Sequence, residues 1–157
     1  MPRYRKLTVV AQHNFQFIGI VSQADTYRLC FFLNKSLKLS LRRISDFVSS
    51  SATGQYEFAL YYCCDDARQL NWFLVSNRTT GNTLIPSLRH FSHLLFTDKI
   101  HPVFRPEEIS YLINATKSVD FAHTLSSSGI AGIDVFIQEL ELHLLQINIS
   151  LTPSQEG

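Results

Sequence analysis

The sequence predicts an α+β fold: a mostly antiparallel sheet of four or five strands, with two or three helices packed on one face. Apolar residues make up 45% of the 157 residues, which is enough for the core of one domain. Segments rich in Tyr, Phe and Leu are separated by turn sequences, and other segments carry apolar residues at helical spacing. No internal repeat or long linker divides the chain. We therefore expect one domain over residues 1–152 and a disordered tail over residues 153–157.

The first third of the chain is predicted to contain two short strands and a helix. The strands span residues 7–10 and 15–21. Ser22 is the predicted N-cap of the helix, with Asp25 three residues later as the acid of a capping box. The helix then runs to about Leu37. Its stripe of residues at helical spacing is predicted to be Tyr27, Cys30, Phe31, Asn34 and Leu37.

The middle of the chain is predicted to be a loop followed by strands. Residues 49–54 are small and polar and are typical of a loop. Residues 56–64 and 70–76 are rich in aromatic and aliphatic side chains, and the Asp65-Asp66-Ala67-Arg68 turn between them predicts a hairpin. Residues 83–96 supply a third strand, and its proline, Pro86, indicates an edge position, a bulge or a strand start.

The last third is predicted to contain two helices and a strand. Pro106 and the two acids after it suit the first turn of a helix. Residues 119–125 form a strand candidate. Residues 130–146 carry a helical stripe, although part of this segment also alternates as a strand does. We favour a helix there because Gln, Glu and Leu dominate its composition.

The cysteines and the N-terminus predict a soluble, cytoplasmic protein. Cys63 and Cys64 are adjacent and Cys30 is isolated, so no disulfide framework is expected. Of the adjacent pair, we expect one to pack in the core and the other to be exposed. The apolar runs are too short for a signal peptide or a membrane span. Four Asn-x-Ser/Thr triplets then have no role as glycosylation sites; they begin at Asn34, Asn77, Asn114 and Asn148.

Four segments together carry a family resemblance. They are Phe17-Ile-Gly-Ile-Val-Ser22, Asp25-Thr-Tyr-Arg-Leu-Cys-Phe-Phe-Leu-Asn-Lys35, Leu37-x-Leu39-x-Leu41-Arg-Arg43 and Trp72-Phe-Leu-Val-Ser-Asn77. With these segments, most of residues 4–125 resembles the IPExxxVDY family of small bacterial proteins, found mainly in Bacteroidetes. Ile85 and Pro86 match the naming signature, while Ser87 replaces its Glu and Phe91-Ser92-His93 replace its Val-Asp-Tyr. The resemblance implies a shared scaffold and no assigned activity.

The charge distribution is strongly uneven. Residues 1–43 hold eight Lys and Arg and one acid, a net charge of +7, whereas residues 44–157 have a net charge of −6. Such asymmetry favours a basic surface that contacts phosphates or an acidic partner. An ordinary solvated surface, paired with the acidic remainder, is the alternative. The predicted contact residues are Arg28, Lys35, Lys38, Arg42 and Arg43.

No catalytic or metal-binding constellation emerges from the sequence. His90 and His93 would point to opposite faces of a strand, so we do not expect them to share a metal. Nothing places Cys30 beside His123 and Asp120 as a nucleophile with its base and acid. No glycine-rich phosphate loop is present in the sequence. We therefore expect no cofactor and no metal, and an enzyme is the least favoured class.

The C-terminal helix is predicted to be apolar on nearly all sides, because Val135, Leu142 and Leu145 flank its main stripe. Such a helix is either buried within its own domain or docked on a partner, for which a twofold dimer is the commonest outcome. The sequence thus favours a non-enzymatic interaction or accessory protein that binds a protein partner or itself. The alternative is an RNA- or DNA-binding module that uses the basic first third.

Overall fold

The computed structural model describes residues 14–51, 53–99 and 105–149. The strands in these residues are β1 (Gln16–Val21), β2 (Arg42–Ser51), β3 (Gly54–Asp65), β4 (Leu70–Ser76), β5 (Arg78–Thr79), β6 (Asn82–Thr83), β7 (His93–Thr97) and β8 (Phe121–Leu125). The α-helices are α1 (Thr26–Leu37), α2 (Pro106–Asn114) and α3 (Ile133–Gln146), and a short 3₁₀ helix spans Pro86–Leu88. The predicted strand at residues 7–10 and the predicted tail at 153–157 lie outside the described residues.

Six strands form one antiparallel sheet in the order β2-β3-β4-β7-β1-β8, and β5 pairs with β6. The α+β class is confirmed, but the main sheet has more strands than predicted. The strand that the sequence did not reveal is β2. Its pairing register shifts between Ile44 and Phe47, so its apolar residues do not alternate as those of a regular strand do. The predicted loop at 49–54 is largely strand, because Ser49 and Ser50 pair with β3.

Helices cover both faces of the sheet, so the prediction that they pack on one face was wrong. Apolar residues of α1 and α2 join the core on one face, and apolar residues of α3 join the core on the other. The central strands explain this arrangement. On β1, Phe17 and Ile18 point to opposite faces and both are buried; Trp72 and Phe73 do the same on β4. A sheet that is apolar on both faces needs cover on both.

The helix α1 begins three residues later than the sequence suggested. Its N-cap is Asp25, whose carboxylate accepts the backbone N–H of Arg28 at 2.9 Å. Ser22, the predicted N-cap, lies before the helix instead. Its hydroxyl donates to the backbone oxygen of Ser118 at 2.6 Å and ties the end of β1 to the segment that precedes β8. The predicted end at Leu37 is confirmed.

Residues 83–96 do not form the single strand predicted for them. Asn77, which is 0% exposed, organises this segment from the end of β4. Its side-chain amide donates to the carbonyls of Leu88 (2.9 Å) and Phe91 (3.0 Å) and accepts the N–H of Ile85 (2.9 Å). The segment folds into a 3₁₀ turn against the sheet before β7 begins. Phe91 then covers Gly19, where an added Cβ would lie 2.6 Å from its ring.

Two further asparagine side chains form hydrogen bonds with backbone groups that no neighbouring strand pairs. Asn34 of α1 accepts the N–H of Leu41 at 2.8 Å and donates to its carbonyl at 3.0 Å, just before β2 starts. Asn114 of α2 makes the same pair with Ala122 on the edge strand β8, at 2.9 Å for both bonds. This contact covers part of an open sheet edge. The predicted hairpin of β3 and β4, α2, β8 and α3 are confirmed.

None of the helices in the described ranges is long and apolar enough to cross a membrane. Cys63 is buried and Cys64 is exposed, as predicted for the adjacent pair, and Cys30 is buried on the inner side of α1.

Candidate functional site

A cleft of about 520 Å³ lies between α1 and the start of β2, above β3. We refer to it as the α1–β2 cleft. The helix contributes Tyr27 and Phe31, β2 contributes Arg42 and Arg43, and β3 contributes Tyr61. Aromatic and cationic side chains therefore meet around one concave surface, which is a common composition for sites that bind anionic ligands with flat rings.

The helix wall of the cleft exposes two large aromatic side chains. Tyr27 is 76% exposed and Phe31 is 53% exposed. They lie four residues apart on the same side of α1. Phe31 packs edge-on against the ring of Phe32, with ring centroids 5.3 Å apart. The Lys35 ammonium group lies 5.5 Å from the Phe31 centroid. Phe31 is thus held by its neighbours while about half of the residue stays exposed.

The strand wall of the cleft is cationic. Arg43 donates to the Asp46 carboxylate at 2.7 Å, and its guanidinium carbon lies 5.9 Å from the centroid of Tyr61. The bond to Asp46 raises the pKa of Arg43, so this side chain stays charged. Arg42 is exposed and takes part in no salt bridge among the described residues. Within the described ranges, the Arg42 guanidinium group therefore has no carboxylate partner and can contact a ligand.

The side chains at the floor of the cleft are unreactive. Asn34 uses both ends of its amide on the backbone of Leu41, as described above. The Cys30 thiol contacts the same carbonyl at 3.6 Å. Burial raises the pKa of Cys30 to about 11, so the sulfur is protonated near neutral pH and is a poor nucleophile. These groups support binding at the cleft rather than chemistry.

The structure brings together part of the predicted set Arg28, Lys35, Lys38, Arg42 and Arg43, which we refer to as the basic cluster. Arg42 and Arg43 line the cleft, and Lys35 lies at its rim over Phe31. Arg28 and Lys38 are exposed on or beside α1 without lining the cleft. In the part of the chain that the structure describes, Arg43 is the one member with an acidic partner.

The sequence prediction placed Tyr27 and Phe31 in the stripe of α1 that faces the core. The buried stripe is instead Leu29, Cys30, Leu33 and Leu37. Both stripes have helical spacing, but the buried one is aliphatic apart from its cysteine. The second, aromatic stripe was the signal in the sequence for an exposed binding surface, because one face of an amphipathic helix suffices for packing.

His93 is a structural residue of the core. Its Nδ1 lies 2.9 Å from the Ser92 hydroxyl, and its Nε2 lies 3.0 Å from the Thr26 hydroxyl at the start of α1. Burial, followed by the charge of Arg78, lowers the pKa of His93 to about 4, so the ring is neutral near pH 7. His90 is exposed and packs beside Phe91. Across the described ranges, no three His, Cys, Asp or Glu side chains are grouped to hold a metal ion.

Cys30, His123 and Asp120 do not form a catalytic group. Cys30 lies on the buried side of α1, on one face of the sheet. His123 is exposed on β8 opposite Gly19, and its ring stacks on Phe121 with centroids 6.1 Å apart. Ala122, between these two residues, faces the core that contains Cys30, so the His123 side chain leaves from the other face.

A second candidate surface lies on α3. The side of this helix that faces the sheet buries Ile133, Phe136, Ile137, Leu140 and Leu144. Val135, Leu142 and Leu145 are each more than half exposed. With Gln138 they follow a spacing of three, four and three residues, which is the repeat of a helix that packs on another helix. We refer to these four residues as the α3 seam.

The chain matches no family model, no curated protein and no solved structure. The resemblance to the IPExxxVDY family stays a prediction. The function must accordingly be argued from the cleft and the seam themselves.

Proposed function

We propose that the protein is a non-enzymatic interaction protein and that its α1–β2 cleft binds nucleic acid. The observation that carries the proposal is the basic cluster beside the cleft. Four of its five cations have no acidic partner among the described residues, and two exposed aromatic residues line the same cleft. This geometry favours the nucleic-acid alternative over a purely protein-binding role.

The charges around the cleft are available to a ligand because the nearby acids are already engaged. Asp25 caps α1 by accepting the N–H of Arg28, and Asp46 binds Arg43. A surface with unpaired cations has a positive potential that attracts polyanions and concentrates them at the site. Nucleic acids are polyanions whose phosphate groups Lys and Arg neutralise. The release of counterions makes the binding of nucleic acid dependent on salt.

The test is fluorescence anisotropy of a labelled RNA of about 20 nucleotides at about 50 mM salt, where phosphate contacts are strong. We expect the wild-type protein to bind and the double variant Lys35→Ala/Arg42→Ala to bind at least about tenfold more weakly. The matched control is Arg89→Ala/Arg105→Ala, which removes the same charge from exposed residues away from the cleft. The control is expected to bind as the wild type does. Absence of wild-type binding at this salt concentration contradicts the proposal.

A second candidate function is self-association through the α3 seam. We propose a second copy of the chain as the occupant, because the spacing of the seam fits a helix of similar pattern. In an antiparallel pair that crosses at Leu142, Glu141 of one copy lies beside His143 of the other, and the Asp134 carboxylates of the two copies lie at opposite ends. That arrangement avoids contacts between like charges, which a parallel pair would create.

Size-exclusion chromatography with light scattering tests the seam. The wild type is expected to be a dimer, and Leu142→Lys is expected to be a monomer because a charge at the centre of the seam cannot be buried without cost. Tyr111→Lys is the matched control, since Tyr111 is a large residue on α2 that is also well exposed, at 75% against 61% for Leu142. A monomeric wild type, or a dimer that survives Leu142→Lys, contradicts this second proposal.

A further inference from the structure

We infer that the ligand of the α1–β2 cleft is single-stranded nucleic acid, with neighbouring bases stacked on Tyr27 and Phe31. This inference rests on the proposed function and states which form of nucleic acid the cleft takes. It concerns the aromatic rings, whereas the proposed function depends on the cations. The two can therefore be tested separately.

The two aromatic residues are neighbours on the exposed side of α1. Tyr27 and Phe31 are one helical turn apart, which places their Cα atoms about 6 Å apart along the axis. Both rings are more than half exposed. Large aromatic side chains normally bury most of their surface, so two exposed rings beside one cleft are an informative departure. Phe32 supports Phe31 from the side, which limits the freedom that the ring would lose on stacking.

Stacking on these rings requires bases whose faces are accessible. In a duplex the base faces are covered by the neighbouring base pairs, and only groove edges and phosphates are presented. In a single strand every base has an open face that an aromatic side chain can cover. The rings of Tyr27 and Phe31 therefore add nothing to the binding of a duplex and stabilise a bound single strand.

The cations lie where the phosphates of such a strand would run. The Lys35 ammonium lies over one face of the Phe31 ring on the helix wall, which leaves the other face for a base, and Arg42 and Arg43 form the opposite wall. A backbone that follows the cleft can therefore contact positive charge on both sides while its bases face α1. This combination of a basic groove with aromatic rings is the usual design of sites for single strands.

The floor of the cleft predicts that binding is tolerant of sequence. Amide side chains commonly read a base through paired hydrogen bonds to its edge. Asn34 is the amide in this cleft, and both of its groups are bonded to Leu41. It is consequently not free to read a base. Stacking energy and phosphate contacts remain as the sources of affinity, and neither distinguishes bases strongly.

The experiment compares a labelled poly(U) RNA, a poly(dT) DNA of equal length and a mixed-sequence duplex, all in the same buffer at about 50 mM salt. The variants are Tyr27→Ala/Phe31→Ala, the conservative Tyr27→Phe, and Lys35→Ala/Arg42→Ala. We expect the double alanine variant to bind both single strands at least about tenfold more weakly and the duplex as the wild type does. Tyr27→Phe should bind like the wild type, because the ring is kept. A 2-aminopurine base within the strand should change its fluorescence on wild-type binding and not on binding to the double alanine variant.

The outcomes separate the two proposals. If the cation variant loses binding while Tyr27→Ala/Phe31→Ala binds single strands as the wild type does, the stacking inference is wrong and the proposed function stands. Equal wild-type affinity for the duplex and the single strands also overturns the inference. If no nucleic acid binds the wild type, both proposals are wrong. Tyr27 and Phe31 are exposed, so their replacement should leave the melting temperature within a few degrees of the wild type.

Discussion

The side-chain oxygen of Asn77 accepts the backbone N–H of Ile85 at 2.9 Å and thereby joins two segments that the sequence singled out separately. Asn77 ends the Trp72-Phe-Leu-Val-Ser-Asn77 segment, and Ile85 begins the matching half of the IPExxxVDY signature. The amide nitrogen of Asn77 holds the carbonyls of Leu88 and Phe91 from the same buried position. The folding of residues 78–92 therefore depends on the Asn77 side chain.

We predict that Asn77→Asp destabilises the protein by about 3 kcal/mol or more, because it leaves two buried carbonyls without donors and sets a carboxylate against them. Urea denaturation gives the free energy of unfolding. Asn148→Asp is the control, since Asn148 is exposed and the change should alter stability by no more than about 0.5 kcal/mol. Similar stability of the wild type and Asn77→Asp would show that the amide does not organise this segment.

We predict that Gly19→Ala destabilises the protein by about 1–3 kcal/mol, because its Cβ would overlap the Phe91 ring. The destabilisation arises from contact with the Phe91 ring and not from backbone strain. A smaller side chain in place of Phe91 should therefore reduce it. In a double-mutant cycle with Phe91→Leu, we expect the cost of Gly19→Ala to fall by at least about 1 kcal/mol. Additive effects of the two changes would contradict the contact.

We predict that His93 makes the protein less stable in acid. Its pKa is about 4 in the folded protein and about 6.5 when unfolded, so as the pH falls the unfolded state takes up the proton first. The free energy of unfolding is therefore unaffected above the unfolded pKa, declines between pH 6.5 and pH 4, and then levels off. The full loss is about 3 kcal/mol. Denaturation at several pH values should show this decline in the wild type and in His90→Gln, and a smaller decline in His93→Gln.

We predict that one of the three thiols reacts with a disulfide reagent in the native protein and that all three react in urea. Cys64 is exposed, whereas Cys30 and Cys63 are buried and burial raises the pKa of each. The variant Cys64→Ser should show no rapid reaction before unfolding. Rapid reaction of a second thiol in the native protein would indicate that α1 opens readily from the sheet.

Regular patterns made much of the fold predictable. The hairpin of β3 and β4 has dense aromatic and aliphatic strands and a polar turn, and α2 has a proline and two acids in its first turn. By contrast, β2 has few apolar residues and a register shift, so its pairing depends on β3. The segment before β7 follows the Asn77 side chain, a contact that no local pattern reports.

The candidate site was predictable only in part, because half of it depends on how α1 packs on the sheet. The uneven charge singled out Arg42 and Arg43, and both line the cleft, but the sequence did not reveal that they lie on a strand. The positions of Arg28 and Lys38 relative to the cleft depend on the rotation of α1 against the sheet. That rotation is set by the burial of Leu29 and Leu33, and it leaves Tyr27 and Phe31 exposed. The aromatic half of the cleft thus follows from packing.

The salt dependence of RNA binding tests the central claim most directly, since the claim is that the basic cluster contacts phosphates. For the wild type, we predict that the logarithm of the binding constant for poly(U) falls linearly with the logarithm of the salt concentration. For Lys35→Ala/Arg42→Ala, the slope should be shallower by about 1.4, or about 0.7 for each lost phosphate contact. The control Arg89→Ala/Arg105→Ala should keep the wild-type slope. A wild-type protein that does not bind at about 50 mM salt, or a slope that the cleft variant leaves unchanged, would contradict the account.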